Sequence, residues 1–243
     1  MVPELEAILA KSKNLVFFGG AGVSTESGIP DFRSVDGLYH QKFRYPPEVM
    51  LSHSFYESHT AEFFDFYRSK LIVHGAKPNA AHLRLAELER QGVCKAVVTQ
   101  NIDGLHQAAG SRTVYELHGS TLRNYCTRCG KFYPVEFIEQ AAGQGDGIPR
   151  CTECGGIVKP DVVLYEEGLD EQTMEDAVRA IAAADTLIVG GTSLAVYPAA
   201  GLLRFFRGDE LVVINKQPTP ADRSATLVLN LPIGQALGAQ TAP

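Results

Sequence analysis

Short apolar segments alternate with amphipathic segments along most of this chain, and no other sequence feature restricts its possible folds as strongly. The apolar segments are rich in β-branched residues, bounded by turn residues and too short for buried helices. They cover residues 14–18 (NLVFF), 95–99 (KAVVT), 186–190 (TLIVG) and 210–215 (ELVVIN). Their length and composition predict buried strands of one sheet.

Two amphipathic segments between these strands predict helices. Residues 79–91 end at Gly92, a residue typical of helix termini, and residues 171–184 follow Asp170, which is placed to cap an N-terminus. The second helix would bury one face, formed by Met174, Ala177, Val178, Ile181 and Ala182. Strands alternating with helices predict an α/β fold, a Rossmann-like parallel sheet with helices on both faces and ligands at the carboxyl ends of its strands.

Four of the five cysteines form two C-x2-C pairs with 21 residues between the pairs. Thiolates at this spacing close tetrahedrally on zinc, and four of them leave no open coordination position, so we predict one structural ion. Two disulfides are the alternative, which a reducing compartment disfavours. The predicted ligands are Cys126, Cys129, Cys151 and Cys154. The fifth cysteine, Cys94, is interpreted as a core residue.

Two segments interrupt the alternation and predict a small inserted lobe. Residues 34–76 are rich in aromatic side chains and look helical toward their end, whereas residues 121–156 are rich in turns and carry the paired cysteines. We therefore expect one unit over residues 1–243, in which a helical module and a zinc-ribbon module form the small lobe. The large Rossmann-like domain would comprise residues 1–33, 77–120 and 157–243.

The charge and hydropathy of the chain exclude some partners. A net charge of −6 argues against nucleic acid, which requires a surplus of Lys and Arg. No segment reaches the roughly 20 apolar residues of a membrane helix, and the N-terminal residues are acidic where a secretory signal would be basic. We expect a cytoplasmic protein, without nucleic-acid or membrane partners, that is a monomer.

A glycine-rich turn, GGAGVSTESGIPDFR at 19–33, directly follows the first strand. Glycines there let the backbone approach a diphosphate, and a following helix would offer free amides. Thr25 stands where a dinucleotide fingerprint has its third glycine, and the second strand runs into Gln100 where an acidic residue would hold a ribose, so hydride transfer is disfavoured. The end of the motif places three further side chains beside the turn, Asp31, Phe32 and Arg33.

Further motifs follow other strands. TQNIDG places Gln100, Asn101 and Asp103 at a carboxyl end, although such residues taken alone are more often a polar loop with an Asx turn. In ELHGS, the imidazole of His118 is a candidate general base, although a single histidine is more often structural. The segments GGTSLAVYPAA at 190–200 and LVVINKQPTP at 211–220 add a second glycine turn and a strand ending in Asn.

Taken together, these motifs resemble those of the sirtuin family of NAD-dependent protein deacylases, over about residues 14–233. GAG-x-S with GIPDFR, TQNID, ELHG, the two C-x2-C pairs, GTSL-x-V-x-PAA and a late strand ending in Asn occur in the family's order. The resemblance implies a bacterial protein-lysine deacetylase that uses NAD as co-substrate, holds one zinc ion and acts on acyl-lysine proteins or peptides.

The resemblance also assigns residues. His118 and Asn101 would be catalytic, and Val163, Tyr165 and Val196 would contact the substrate. The NAD-binding residues would be Ala21, Gly22, Thr25, Asp31, Phe32, Arg33, Gln100, Asn101, Ile102, Asp103, His118, Gly191, Thr192, Ser193, Asn215, Lys216 and Ile233.

In the implied reaction, nicotinamide leaves NAD and the acyl oxygen attacks the ribose. His118 accepts a proton from the ribose hydroxyls so that the 2′-oxygen attacks the acyl carbon, and water completes the reaction, giving free lysine and O-acyl-ADP-ribose. A mono-ADP-ribosyltransferase on the same NAD site is the alternative, and a non-enzymatic NAD-binding module is another. Two positions depart from the family: Gly19 stands where Thr is common, and Glu166 where many members have Gly. Residues 34–76 show no convincing Tyr-x-x-Arg, which favours an acetyl or longer neutral acyl group.

Overall fold

A computed structural model describes residues 2–31, 37 and 43–238 of the chain. The strands in chain order are β1 (Leu15–Gly19), β2 (Cys94–Thr99), β3 (Val114–Glu116), β4 (Gly119–Cys126), β5 (Phe132–Tyr133), β6 (Val158–Val162), β7 (Thr186–Gly190), β8 (Glu210–Ile214) and β9 (Leu227–Leu229). The helices are α1 (Pro3–Lys11), α2 (Pro47–Met50), α3 (His53–Ser58), α4 (Thr60–Lys70), α5 (Ala80–Arg90), α6 (Leu105–Ala108), α7 (Val135–Gln140), α8 (Glu171–Ala183) and α9 (Ile233–Leu237).

Six strands form a parallel sheet in the order β3-β2-β1-β7-β8-β9. From the central strand β1, the chain order runs outward in one direction through β2 and in the other through β7. This reversal opens a crevice at the carboxyl ends of β1 and β7, where doubly wound sheets bind ligands. The predicted fold class is confirmed.

Helices cover both faces of this sheet because the side chains of its central strand alternate between two cores. Phe17 packs with residues of α1, α5 and α9, whereas Phe18 packs with α8 and a 3-10 helix at Ala199–Phe205. Both phenylalanines are fully buried. Cys94 is also buried, as expected of a core residue.

The two predicted helices are present. As predicted, the Oδ1 of Asp170 caps α8 by accepting a hydrogen bond from the Thr173 amide at 2.8 Å, and Gly92, with a φ of 77°, follows the end of α5. The Asn79 side chain also caps the start of α5, which was not predicted. The predicted buried face of α8 is wrong at one position, because Ala182 is exposed. Ala177 and Ile181 define the buried stripe, and the next residue after Ile181 is rotated about 100° away from it.

A second, three-stranded antiparallel sheet has the order β5-β4-β6. Its apolar side chains share a core with the aromatic helices α3 and α4, so the two interrupting segments pack against each other. Phe63, Phe64 and Tyr67 of α4 are almost fully buried in this core beside Ile138 of α7. Among the described residues, the helices lack the length and apolar character needed to cross a membrane.

Candidate active site

A cavity of about 540 Å³ lies at the carboxyl ends of β1, β2 and β7, and its volume is typical of ligand sites. The cavity brings together predicted site residues from turns that are far apart in the sequence. These residues are Ala21, Gly22, Thr25, Asp31, Gln100, Asn101, Ile102, Asp103, His118, Val163, Tyr165, Gly191, Thr192, Ser193, Val196, Asn215, Lys216 and Ile233. Phe32 and Arg33 lie outside the described residues.

The glycine turns after β1 and β7 contact each other through their backbones. The amide of Gly22 donates to the Gly191 carbonyl at 2.8 Å, and a methyl group on Gly22 would lie 2.8 Å from the Gly191 Cα. Gly191 has a φ of 59°, which is unfavourable for other residues. Only glycine therefore permits this approach, which keeps backbone amides at the crevice free of covering side chains.

The segment after the first turn corrects one expectation. Instead of an α-helix, two 3-10 helices follow, at Ala21–Val23 and Thr25–Ser27. Gly28, with a φ of 83°, ends the second one, and Pro30 cannot donate to a continuing helix. Amides for an anion at this turn come from short helical turns, without the dipole of a long helix.

A buried hydrogen-bond network joins the turns after β1 and β2, and its central residue, Ser24, was missed by the sequence analysis. The Ser24 hydroxyl donates to Oδ2 of Asp103 at 2.6 Å and accepts from Nδ2 of Asn101 at 3.1 Å. Oδ1 of Asp103 accepts from the Leu105 amide at 2.9 Å, which is the Asx turn weighed above. The carboxylate thus makes an Asx turn and lines the cavity as well.

His118 lies in the short connection between β3 and β4, on the wall of the cavity. Its Nδ1 is 3.0 Å from the Gln100 carbonyl oxygen. Because a carbonyl can only accept, Nδ1 carries the proton, and Nε2 is left to accept one. Burial lowers the pKa of His118, and the bond to Gln100 only partly opposes this effect, so the imidazole is neutral at neutral pH.

A polar contact also links the two sides of the crevice. Nε2 of Gln100 donates to the Thr192 hydroxyl at 3.2 Å, and the same hydroxyl accepts from the Leu194 amide. Asn215 follows β8 and donates to the Gln217 carbonyl, and Ile233 is a buried residue that begins α9. These contacts fix the turns on the β7 and β8 side of the cavity.

The segment predicted to contact substrate lies directly beside His118. The Val163 amide donates to the His118 carbonyl at 3.0 Å. Two residues later, the Tyr165 amide donates to the Leu51 carbonyl, and the Tyr165 carbonyl accepts from His53. This extended segment is therefore held between the histidine loop and the start of α3, with the Tyr165 side chain partly exposed.

The four predicted zinc ligands come together at the far end of the small sheet. Their sulfur atoms all lie within 4.8 Å of one another, and none is in a disulfide. Four sulfurs at about 2.3 Å from one tetrahedral ion would be about 3.8 Å apart, so the cluster fits one structural zinc. The Tyr133 hydroxyl donates to Sγ of Cys151 at 3.2 Å and so supports this ligand from outside the cluster.

Comparison with known proteins agrees with this architecture. Residues 20–198, well over half of the chain, match the model of the Sir2 family. The chain belongs to the Sir2 family. The sirtuin resemblance of its motifs is thereby confirmed, and an NAD-dependent protein deacetylase of Clostridium acetobutylicum is 61% identical to this Sir2 chain over 238 residues, which is 97% of this chain and 96% of that protein.

Solved structures of other Sir2 proteins share the whole fold. One with a p53 peptide and NAD+ is 39% identical with a TM-score of 0.87, covering 98% of this chain and 95% of the other. A Sir2 variant with a deacetylated p53 peptide and 3'-O-acetyl ADP ribose is also 39% identical, with a TM-score of 0.87 and coverage of 96% and 94%.

Proposed function

We propose that this Sir2 chain removes acetyl groups from lysine side chains of proteins, consuming NAD and releasing nicotinamide and O-acyl-ADP-ribose. The observation that carries the proposal is a neutral, half-buried His118 whose backbone is bonded to the Val163 segment, in one cavity with Asn101 and Asp103. The Clostridium relative bears the name of this activity, and one related Sir2 structure contains the two products together, a deacetylated peptide and an acetylated ADP ribose.

The cofactor fits the glycine turns. Ala21, Gly22 and Thr25 would hold the diphosphate and ribose, and Thr192, Ser193 and Asn215 the adenosine side, with the remaining predicted cofactor residues completing the site. The close contact between Gly22 and Gly191 supports this, because two glycine turns that meet through their backbones leave backbone amides without side chains for a diphosphate to approach. Bound NAD supplies a glycosidic bond whose cleavage makes the ribose carbon reactive toward the acyl oxygen.

This chain's residues would then position the reactants and move the proton. Asp103, fixed by Ser24, would bind the nicotinamide carboxamide together with Ile102, and Asn101 would contact the ribose. Nε2 of His118 would accept a proton from a ribose hydroxyl, because its Nδ1 is occupied by the Gln100 carbonyl.

The substrate peptide would add as an extended strand beside Val163 and Tyr165, with Val196 on its other side. We further propose a large domain at 1–33, 77–120 and 157–243 and a small lobe at 34–76 and 121–156. The ladder between β4 and β6 argues for moving one boundary of this division, so that residues 158–162 belong to the small lobe and the large domain resumes after them. Four thiols without a disulfide suit a reducing compartment, which supports a cytoplasmic protein.

His118→Ala tests the function. The variant should lose NAD-dependent deacetylation of an acetyl-lysine peptide by about 100- to 10,000-fold, or more, because the general base is removed. Mass spectrometry of the peptide decides the reaction type: loss of the acetyl group supports the proposal, and gain of ADP-ribose supports the transferase alternative. Near wild-type turnover in His118→Ala would remove the assignment of the base.

A further inference from the structure

Arg123, on β4, joins the two sheets beside the cavity. Its Nη1 donates to Oε2 of Glu116 at 2.6 Å, and its Nε donates to Oδ2 of Asp161 at 2.8 Å. Glu116 ends β3 of the parallel sheet, whereas Asp161 belongs to β6 of the small sheet. One guanidinium therefore bridges two carboxylates that belong to different sheets.

Each of the two carboxylates lies the same number of residues before a proposed site residue. Glu116 is two residues before His118, and Asp161 is two residues before Val163. The Val163 amide donates to the His118 carbonyl at 3.0 Å. Arg123 and this backbone hydrogen bond therefore close a ring that contains both the proposed base and the proposed substrate-binding segment.

The backbone ladder does not hold this ring by itself. The pairing of β4 with β6 is regular at Gly119 and Ser120 and again from Asn124, but its register shifts in between. Arg123 lies in the irregular part, where its side chain takes over the connection between the strands. A planar guanidinium suits this task, because it is always charged and its fork can serve two carboxylates.

Burial makes the arrangement sensitive to loss of the cation. The side chain of Glu116 is only 8% exposed, compared with 39% for Arg123 and 40% for Asp161. Without the guanidinium, a nearly buried carboxylate would lose its cation and face a second carboxylate, so the two strands would move apart. The connection that carries His118 begins at the end of β3, directly after Glu116. Its backbone is bonded to Val163, just beyond β6, the strand of Asp161.

We propose that Arg123 is a positioning residue for the reaction: it fixes the His118 loop and the Val163 segment relative to each other by bridging Glu116 and Asp161. Its importance for catalysis rests on the deacetylase function proposed above. Arg123 does not contact the reacting atoms, and it acts through the two strands.

The first test does not require activity. The His118 imidazole is titrated by NMR in the wild-type chain, in Arg123→Gln and in Arg150→Gln, with its signal identified by its absence in His118→Ala. Arg150 is a matched control because it pairs with Asp146 at 2.7 Å on an exposed surface of the small lobe. In Arg123→Gln we expect the His118 pKa to rise toward its usual value, since a loosened loop is better solvated, whereas Arg150→Gln should match the wild type.

The second test is kinetic. Arg123→Gln should lower kcat for the acetyl-lysine peptide by about 10- to 100-fold, the scale expected for a displacement of about 1 Å, with the Kd for ADP-ribose changed by less than about twofold. Arg123→Lys keeps the positive charge but lacks the guanidinium fork. It controls for misfolding of Arg123→Gln and should restore part of the lost kcat. Glu116→Gln should lower kcat less when it is added to Arg123→Gln than when it is made in the wild-type chain.

The outcomes separate the two proposals. If Arg123→Gln folds, and both its His118 titration and its kcat match those of Arg150→Gln, the positioning role is overturned. If the wild-type chain has no deacetylase activity, the proposed function fails, while the NMR titration still decides whether Arg123 fixes the His118 loop.

Discussion

Gly119 leaves almost no room for a side chain, and it lies next to the proposed base. Its φ is 75°, and a methyl group there would lie 2.8 Å from the carbonyl carbon of Asp161 and overlap the carbonyl oxygen. Both neighbours are backbone, so no side chain can rotate away. Gly119→Ala must therefore push β4 and β6 apart at the point where the Val163 amide reaches the His118 carbonyl.

The expected cost has two parts. A left-handed conformation costs about 1–2 kcal/mol for alanine, and forcing a methyl group into packed backbone costs about 1–3 kcal/mol. The free energy of unfolding should thus fall by about 2–5 kcal/mol. For a chain of this size, that corresponds to a decrease in Tm of about 5–20 °C.

Alanine variants at two other glycines distinguish the conformational cost from the steric cost in a thermal unfolding assay. Gly92 has a φ of 77° with open space around it, so Gly92→Ala should show only the conformational cost. Gly168 has open space and no left-handed φ, so Gly168→Ala should melt within about 1 °C or 2 °C of the wild type. Deacetylation by Gly119→Ala, measured below its Tm, should be reduced about 100-fold. Equal Tm values for Gly119→Ala and Gly92→Ala would refute the argument from backbone overlap.

Three further predictions concern charge, metal and strain. Deacetylation should slow as the pH falls through the pKa of His118, because only the neutral imidazole accepts a proton. Burial lowers this pKa. A midpoint in the pH profile of kcat/KM above the usual histidine value of about 6.5 would therefore contradict the assignment. Strong chelation should remove one zinc ion per chain, as measured by elemental analysis, and should unfold residues 121–156. Zinc-free protein that retains activity would contradict this structural role of the ion. Glu166→Gly should leave the free energy of unfolding within about 1 kcal/mol, because relief of a φ of 76° offsets loss of the bonds from the Ser54 amide and hydroxyl. It should nevertheless raise the peptide KM by about 3- to 10-fold, and Ser54→Ala, which removes only the hydroxyl bond, should raise the KM less. An unchanged KM in Glu166→Gly would show that these bonds do not hold the substrate segment.

The sequence predicted the central sheet well because its strands are local and strongly apolar. β1, β2, β7 and β8 lie within one residue of their predicted bounds, since fully buried parallel strands read as continuous apolar runs. β9 and the β4–β6 ladder were not predicted. β9 has three residues, and β4 includes polar side chains such as Arg123 and Asn124 that alternation alone does not identify as strand.

The sequence predicted those site residues whose type and spacing indicate their chemistry. It missed those whose role depends on contacts with residues far away along the chain. Cysteine spacing identifies the zinc ligands without knowledge of the fold. Ser24 stands in the GAG-x-S motif, but the motif does not state its role, and Arg123 has no signal at all, because their importance arises from partners up to 79 residues away along the chain. A serine in a turn and an arginine in a strand are ordinary until the fold brings Asp103 and Asp161 beside them.

β4 runs from Gly119, adjacent to the proposed base, to Cys126, a ligand of the predicted zinc ion. Over eight residues of extended chain this is a span on the order of 25 Å, with chemistry at one end and a metal anchor at the other. A zinc ion bound there would keep the far end of this strand in place. A zinc centre with four thiolate ligands has no open position for a substrate, but it would still affect turnover by fixing one end of the strand whose other end adjoins the proposed base.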